Sequence, residues 1–156
     1  MNIESLTASQ VMSRVLVVVT PDESPLMAWE LMRRADVHHL PVVENRHVLG
    51  ILTREHLAAS WSGGPEEQSA RPVRSLLQRV PLPRVRPDTP LPRIAALMLD
   101  TCCDAVPVLS DDGLIGLVTA RDVLSAVAGR ARPETGPREV VTGMFHLEPV
   151  LPGGKR

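Results

Sequence analysis

The second half of the chain repeats the first half, and this duplication restricts the possible folds more than any other feature of the sequence. Residues 21–57 align without a gap on residues 87–123, at a constant offset of 66 positions, and eight of the aligned pairs are identical. The identities include turn-forming, apolar and helix-capping residues, such as Pro21 with Pro87, Gly50 with Gly116 and Thr53 with Thr119. Because each copy of a repeat folds as one structural unit, the chain is predicted to form two similar units.

Each copy has the pattern of a strand, a helix, two strands and a second helix. Apolar and β-branched runs predict the strands, and Ser24, Pro25 and Thr53 are residue types that begin helices. In the first copy the predicted strands are residues 15–20, 39–43 and 48–52. In the second copy strands are predicted at residues 84–86, 105–109 and 114–118, and helices at residues 88–101 and 119–127.

A proline recurs inside the predicted second strand of both copies, at Pro41 and Pro107. Proline has no N–H to donate to a neighbouring strand and is confined to sheet edges and bulges. The repeated proline therefore predicts an edge or a bulge at the same place in both units.

Composition shifts mark the boundaries between the units. Residues 61–72 contain a Ser-Gly-Gly-Pro run, and the end of the chain holds four prolines and a Gly-Gly pair, both typical of linkers and loose termini. The predicted organisation is a first unit at residues 1–60, a linker at 61–72, a second unit at 73–129 and a flexible C-terminal tail at 130–156.

Charge and composition exclude several classes of function. The net charge is −1 and only 2% of the residues are aromatic, which argues against a nucleic-acid binder. No apolar run reaches the ~20 residues that cross a membrane, and no secretory signal is evident, so a cytoplasmic protein without a membrane partner is expected. Cys102 and Cys103 are adjacent and are predicted to be reduced.

The strand-to-helix junctions carry a motif that resembles a known family. Residues 116–123 read Gly-Leu-Val-Thr-Ala-Arg-Asp-Val, and residues 50–57 match the same pattern except that His56 replaces the aspartate. Together with the preceding Pro-Val strands, this pattern resembles the CBS domain, which occurs as tandem pairs called Bateman modules. The resemblance covers residues 8–128 and is closest to stand-alone bacterial pairs.

The resemblance implies a fold and a type of activity. The fold is α+β, with two repeated β-α-β-β-α units packed sheet to sheet about a pseudo-twofold axis and two clefts between them. Such modules bind adenosine-containing ligands, namely AMP, ADP, ATP, S-adenosylmethionine or cyclic dinucleotides, and regulate a partner protein without doing chemistry. We therefore expect a non-enzymatic nucleotide sensor that forms a homodimer and signals to an unknown partner.

Carried over by position, the resemblance places the principal ligand site at the complete motif. A threonine at a helix start lies beside unpaired backbone N–H groups that attract phosphate oxygens, and an aspartate three residues later can accept hydrogen bonds from ribose hydroxyls. Arg121 could pair with phosphate. The predicted ligand-binding residues are Thr119, Asp122, Arg121, Leu117, Asp104, Ala105, Val106, Pro107, Val17 and Val18. The alternative is that Thr119 and Asp122 only cap the helix.

The corresponding site of the first copy departs from the motif. A neutral imidazole offers one acceptor and an imidazolium offers none, so His56 cannot replace a carboxylate as the acceptor of two hydroxyls. This second site is predicted to be degenerate, with Thr53, His56, His38, His39 and Val85 around it.

Other functions fit the residues less well. The histidines near His56, with Glu55, could hold zinc in a ligand-free dimerisation or interaction module, but no metal-ligand spacing is present and no metal site is predicted. No nucleophile-elbow, Walker or dinucleotide-binding motif occurs, so catalysis is not expected.

Overall fold

A computed structural model describes residues 2–77, 81–130, 139–142 and 146–149 of the chain. The chain divides into two compact units, each built on one copy of the repeat. The first-repeat unit comprises Val17–Leu82 and Val140–Glu148, and the second-repeat unit comprises Met1–Leu16, Pro83–Glu139 and Pro149–Arg156. Mixed helices and strands with repeated units confirm the predicted α+β class.

The elements follow the predicted order, except that the second copy lacks its predicted first strand. The first-repeat elements are β1 (Val15–Val18), α2 (Pro25–Ala35), β2 (His39–Glu44), β3 (His47–Thr53), α3 (Arg54–Ser60), α4 (Pro65–Ala70) and a 3-10 turn (Val73–Leu76). The second-repeat elements are α5 (Leu91–Thr101), β4 (Ala105–Ser110), β5 (Gly113–Thr119) and α6 (Ala120–Val127). A 3-10 turn (Ile3–Ser5) and α1 (Ala8–Val11) precede them, and β6 (Glu139–Thr142) and β7 (His146–Pro149) follow.

Local chemistry explains where the helices begin and end. Ser24 caps α2 by accepting a hydrogen bond from the Met27 N–H at 3.1 Å, and Pro25 occupies the first turn. Both long helices, α2 and α5, end at a residue in the left-handed conformation, Asp36 with φ 52° and Cys102 with φ 53°. The two copies therefore share their helix termination as well as their sequence pattern.

Each copy forms a two-stranded antiparallel sheet, β2 with β3 and β4 with β5. The register is the same in both, with Pro41 opposite Ile51 and Pro107 opposite Leu117. Each proline lies in a two-stranded sheet, and a register irregularity follows it, between Val42 and Val43 and between Val108 and Leu109, which fits the predicted edge or bulge.

The predicted strand at residues 84–86 is wrong. In that segment only Val85 makes a parallel bridge, to Val108, with its N–H donating to the Pro107 carbonyl at 3.1 Å. Pro81, Pro83 and Pro87 surround this segment, and residues without an N–H cannot extend a ladder.

The segments that lead into each repeat pack on the other repeat. The N–H groups of Ala8 and Ser9 donate to the carbonyls of Thr89 and Pro87, both at 2.9 Å. In the same way Val73 and Arg74 donate to Glu23 and Pro21, at 2.7 and 3.0 Å. The unit boundaries predicted at residues 60 and 73 do not include this exchange of lead-in segments. A sequence repeat shows which residues are equivalent, but it does not show which residues pack together.

The exchanged segments complete two apolar cores. One core surrounds Val106 and Val108 and includes α1 and Met12, and the other surrounds Leu40 and Val42 and includes Val73. A Cβ added at Gly116 would collide with the Met12 side chain, and one added at Gly50 would lie 2.8 Å from a Leu77 methyl group. A side chain at either position would therefore have to displace Leu77 or Met12 of a lead-in segment.

Two predicted loops contain secondary structure. The linker at 61–72 holds α4, where Gln68 is buried and its side-chain amide donates to the Ser62 carbonyl. The segment predicted as a flexible tail holds β6 and β7, which extend β1 into a sheet of order β1-β6-β7. Residues 131–138, 143–145 and 150–156 of that tail lie outside the described residues, so its flexibility there stays a prediction. In the described part of the chain, no helix is long and apolar enough to cross a membrane.

We expect Gly116→Ala to lower the free energy of unfolding by about 1–3 kcal/mol, because the new methyl group must displace Met12 from a packed core. Urea denaturation measures the change. Gly64→Ala is the control, since nothing lies within 4 Å of a Cβ at Gly64. Equal stability of the two variants would contradict the contact with Met12.

We expect Cys102→Gly to raise the free energy of unfolding by about 0.5–1 kcal/mol, because glycine adopts the left-handed conformation without the steric cost of a Cβ. Cys102 is exposed, so little packing is lost. Cys103→Gly is the matched control and should not stabilise the protein, since Cys103 is not among the residues with positive φ.

Candidate functional site

Thr119 and Asp122 form a reciprocal cap at the start of α6. The Asp122 Oδ2 accepts hydrogen bonds from the Thr119 N–H at 2.8 Å and from the Thr119 hydroxyl at 3.0 Å. In return the Asp122 N–H donates to the Thr119 hydroxyl oxygen at 3.3 Å. The two residues that the sequence singles out are therefore in direct contact, and the negative charge lies at the positive end of the helix dipole.

The β4–β5 hairpin places the other predicted residues of this repeat beside the cap. Ala105 is opposite Thr119, Val106 opposite Val118, and Pro107 opposite Leu117. The Ala120 N–H donates to the Asp104 carbonyl at 2.8 Å, which ties the first turn of α6 to the start of β4. Val106 is fully buried, while Asp104 is exposed.

Backbone groups along β4 alternate in direction, and this decides which of them can meet a ligand. In an antiparallel pair, alternate residues direct their N–H and C=O groups away from the partner strand. Pro107 directs its carbonyl to Val85, on the side away from β5, so Ala105 directs its N–H and C=O to that same side. These are the polar backbone groups of β4 closest to the cap that could hydrogen-bond the edge of a base.

Leu117 cannot offer its backbone to a ligand. Its N–H donates to the Ser13 carbonyl at 3.1 Å, and its own carbonyl accepts from the Ser13 N–H at 2.9 Å. Ser13, which sequence reasoning did not single out, lies in the N-terminal segment outside the repeated motif. Leu117 can therefore contribute only its apolar side chain to the site, and the residue is 6% exposed.

For the remaining predicted residues of this site, the structure gives the exposure of each and the unit to which it belongs. Arg121 is exposed on the first turn of α6. Val17 is partly buried and Val18 is buried, and both belong to the first-repeat unit. Their part in the site stays a prediction.

The equivalent position in the first repeat has a simpler cap. The Thr53 hydroxyl oxygen accepts a hydrogen bond from the His56 N–H at 3.1 Å, the counterpart of the bond from the Asp122 N–H to the Thr119 hydroxyl. Arg54 stands where the second repeat has Ala120, and it donates to the Val37 carbonyl at 3.2 Å. The difference between the repeats is chemical, because an imidazole and a guanidinium replace a carboxylate and a methyl group.

The other residues predicted around this second site come from the start of β2 and from the second-repeat unit, and their part in the site stays a prediction. His39 begins β2 opposite Thr53, whereas His38 is exposed just before the strand. Val85 belongs to the second-repeat unit, where its backbone bridges to β4. In the described part of the chain, no group of three His, Cys, Asp or Glu residues is arranged to hold a metal ion.

Comparisons with known proteins agree with the repeat analysis. The family model for the CBS domain matches residues 8–63 and 73–129. An inosine-5'-monophosphate dehydrogenase from Korarchaeum cryptofilum is 32% identical over 111 residues, which are 70% of this chain and 22% of that enzyme. The chain therefore spans about a fifth of the length of this relative.

Solved structures share the fold at lower sequence identity. A protein with CBS domains from Burkholderia ambifaria has a TM-score of 0.70 at 23% identity, covering 84% of this chain and 100% of that one. The CBS domain pair of protein MJ0100, in complex with 5-methylthioadenosine and S-adenosyl-L-methionine, has a TM-score of 0.69 at 20% identity, covering 80% and 98%.

We expect Thr119→Ala to cost more stability than Thr53→Ala, at about 2 against about 1 kcal/mol in the free energy of unfolding. Thr119→Ala removes a hydroxyl that makes two hydrogen bonds with Asp122. Thr53→Ala removes a hydroxyl that accepts one hydrogen bond, from the His56 N–H. Urea denaturation of both variants tests this difference, and equal losses would contradict the added strength of the reciprocal cap.

Proposed function

This chain belongs to the CBS domain family, and from that premise we propose that it is a regulatory module which binds an adenine-containing nucleotide at Thr119 and Asp122. Binding would be relayed to a partner protein. The ligand is of the class of AMP, ADP, ATP or S-adenosylmethionine, and the module itself catalyses no reaction. The protein acts as a homodimer.

The observation that carries the proposal is the hydrogen-bonded Thr119–Asp122 pair. The cap binds one of the two carboxylate oxygens, Oδ2, through the Thr119 N–H and the Thr119 hydroxyl. The cap holds the carboxylate in one orientation at the start of α6, so a ribose diol would meet a preorganised acceptor. The same helix start favours the negative charge of a phosphate.

Base recognition is the second part of the proposal. Ala105 directs a backbone donor and a backbone acceptor away from β5, and Pro107 and Leu117 provide buried apolar walls. An adenine edge carries both a donor and an acceptor, which matches this pair of backbone groups. The structure of MJ0100 with S-adenosyl-L-methionine and 5-methylthioadenosine supports an adenosine ligand.

Only the second repeat is proposed to bind the nucleotide. His56 stands at the position of Asp122, and it lacks the two carboxylate oxygens that a ribose diol requires. The protein would then bind one nucleotide per chain, and the first-repeat site would stay empty or take a different ligand.

Isothermal titration calorimetry with AMP, ADP, ATP, S-adenosylmethionine and cyclic di-AMP tests the proposal. We expect one of these ligands to bind with a stoichiometry of one per chain. Asp122→Asn should weaken that binding by about 10-fold to 100-fold, because it removes a charged acceptor while an amide oxygen remains for the cap.

Asp112→Asn is the matched control for the loss of one carboxylate. Asp112 is exposed in the turn between β4 and β5. The Asp112→Asn variant should therefore bind the ligand as tightly as the wild type does. The proposal fails if none of the five compounds binds, or if Asp122→Asn binds as tightly as the control. In that case Thr119 and Asp122 serve only the helix, as in a ligand-free interaction module.

A further inference from the structure

The two long helices, α2 and α5, end with the same backbone hydrogen bond. At the end of α2 the Val37 N–H donates to the Met32 carbonyl at 3.1 Å. At the end of α5 the Cys103 N–H donates to the Met98 carbonyl, also at 3.1 Å. Donors and acceptors are both related by the repeat offset of 66 positions, so the two helix ends can be compared residue by residue. A chemical difference between them comes from their side chains.

A positive side chain covers the end of α2. The Arg54 Nε donates to the Val37 carbonyl at 3.2 Å, and the Arg54 Nη2 donates to the Met32 carbonyl at 3.4 Å. The same nitrogen lies 3.7 Å from Asp36 Oδ1. The last carbonyls of a helix carry partial negative charge, and a cation beside them is stabilising. The first repeat therefore supplies a cation to this helix end from its own sequence.

The second repeat replaces this cation and the residues that contact it. Ala120 stands at the position of Arg54. Cys102 and Cys103 stand at the positions of the two residues that follow α2 and contact the guanidinium. A methyl group carries neither a charge nor an N–H donor, so Ala120 cannot cover the carbonyls of α5 as Arg54 covers those of α2. The end of α5 thus has two thiols where the end of α2 has an arginine and its partners.

Both sulfur atoms lie beside the last turn of α5. The Cys102 thiol donates to the Leu99 carbonyl at 3.9 Å, and the Cys103 thiol donates to the Thr101 carbonyl at 3.5 Å. Both cysteines are free thiols, Cys102 exposed and Cys103 partly buried, so an ion in solution can reach them. Two sulfur ligands are therefore presented together at the negative end of a helix dipole.

The charges that flank the two thiols also differ between the repeats. Asp100 and Asp104 precede and follow the cysteine pair, and both are exposed. The first repeat has Arg34 and His38 at these positions. Arg121 lies on α6 one position beyond the residue equivalent to the first-repeat arginine, so its side chain leaves the helix about 100° away. The carboxylates raise the local concentration of cations around the sulfur atoms.

We propose that Cys102 and Cys103 bind a thiophilic cation of the Cu(I) type at the end of α5. Thiolate ligands select Cu(I), which accepts two of them, whereas a structural zinc ion requires four ligands. In the part of the chain that the structure describes, no three His, Cys, Asp or Glu residues are arranged around a metal position, so an ion that needs only two ligands fits best. Binding forms two copper–sulfur bonds and releases the two thiol protons to water, with no change of oxidation state. The ion lies where the first repeat has its guanidinium.

Anaerobic titration of the full chain with Cu(I), in competition with the coloured chelator bicinchoninate, tests the site. We expect the wild type to bind one ion per chain. Cys102→Ser and Cys103→Ser should each weaken binding by about 100-fold or more, because the second sulfur on the same chain acts at a high effective concentration. X-ray absorption at the copper edge should show two sulfur ligands in the wild type.

Ala120→Arg tests the position of the ion, because it returns the first-repeat guanidinium to the helix end. We expect it to weaken Cu(I) binding by about tenfold, since the new charge repels the ion and covers the same carbonyls. Ala128→Arg is the matched control, because Ala128 is exposed at the opposite end of α6 and receives the same charge. It should bind Cu(I) as the wild type does. Circular dichroism melting of each variant confirms that weaker binding is not a loss of fold.

Three results would overturn the proposal. A wild type that binds Cu(I) no more tightly than either serine variant shows that the two sulfurs do not act together. One ion shared by two chains shows that the sulfurs come from different copies. An Ala120→Arg variant that binds as tightly as Ala128→Arg shows that the ion does not lie at the helix end. Each measurement uses the protein without nucleotide, so its outcome is separate from that of the calorimetric titration.

Discussion

Two antiparallel strands are too few to be stable in water, and the rest of each unit serves to cover one such pair. The hairpins β2–β3 and β4–β5 bury Val42 and Val108 completely, which requires apolar cover from helices and from a lead-in segment. Each lead-in comes from the part of the chain that precedes the other repeat. The hydrogen bonds from Ala8 to Thr89 and from Val73 to Glu23 fix this exchange in equivalent places. Neither repeat therefore contains all the residues of its own core.

Much of the fold could be predicted because its signals are local. The caps at Ser24 and Thr119, the strand prolines and the two hairpins are specified by residues within a few positions of them, and all were found in the predicted places. The exchange of lead-in segments could not be predicted, since a repeat offset contains no information on distant partners. The missing strand at residues 84–86 could have been foreseen, because its flanking prolines remove the donors that a ladder needs.

The candidate site divides in the same way. The spacing at a helix start predicted that Thr119 and Asp122 share one face, and the structure places them in direct contact as a reciprocal cap. The contact between Ser13 and Leu117 joins residues more than a hundred positions apart and had no signal in the sequence. The αL terminus at Cys102 was also missed, because glycine or asparagine is the usual residue there.

The two tryptophans lie on one side of the internal duplication. Trp29 and Trp61, with ring centroids 6.0 Å apart, are the only tryptophans of the chain, and both belong to the first-repeat unit. Tryptophan fluorescence of this protein therefore originates entirely from the half that lacks Asp122. A change in that emission when a nucleotide occupies the other half would be an optical record of communication between the duplicated halves.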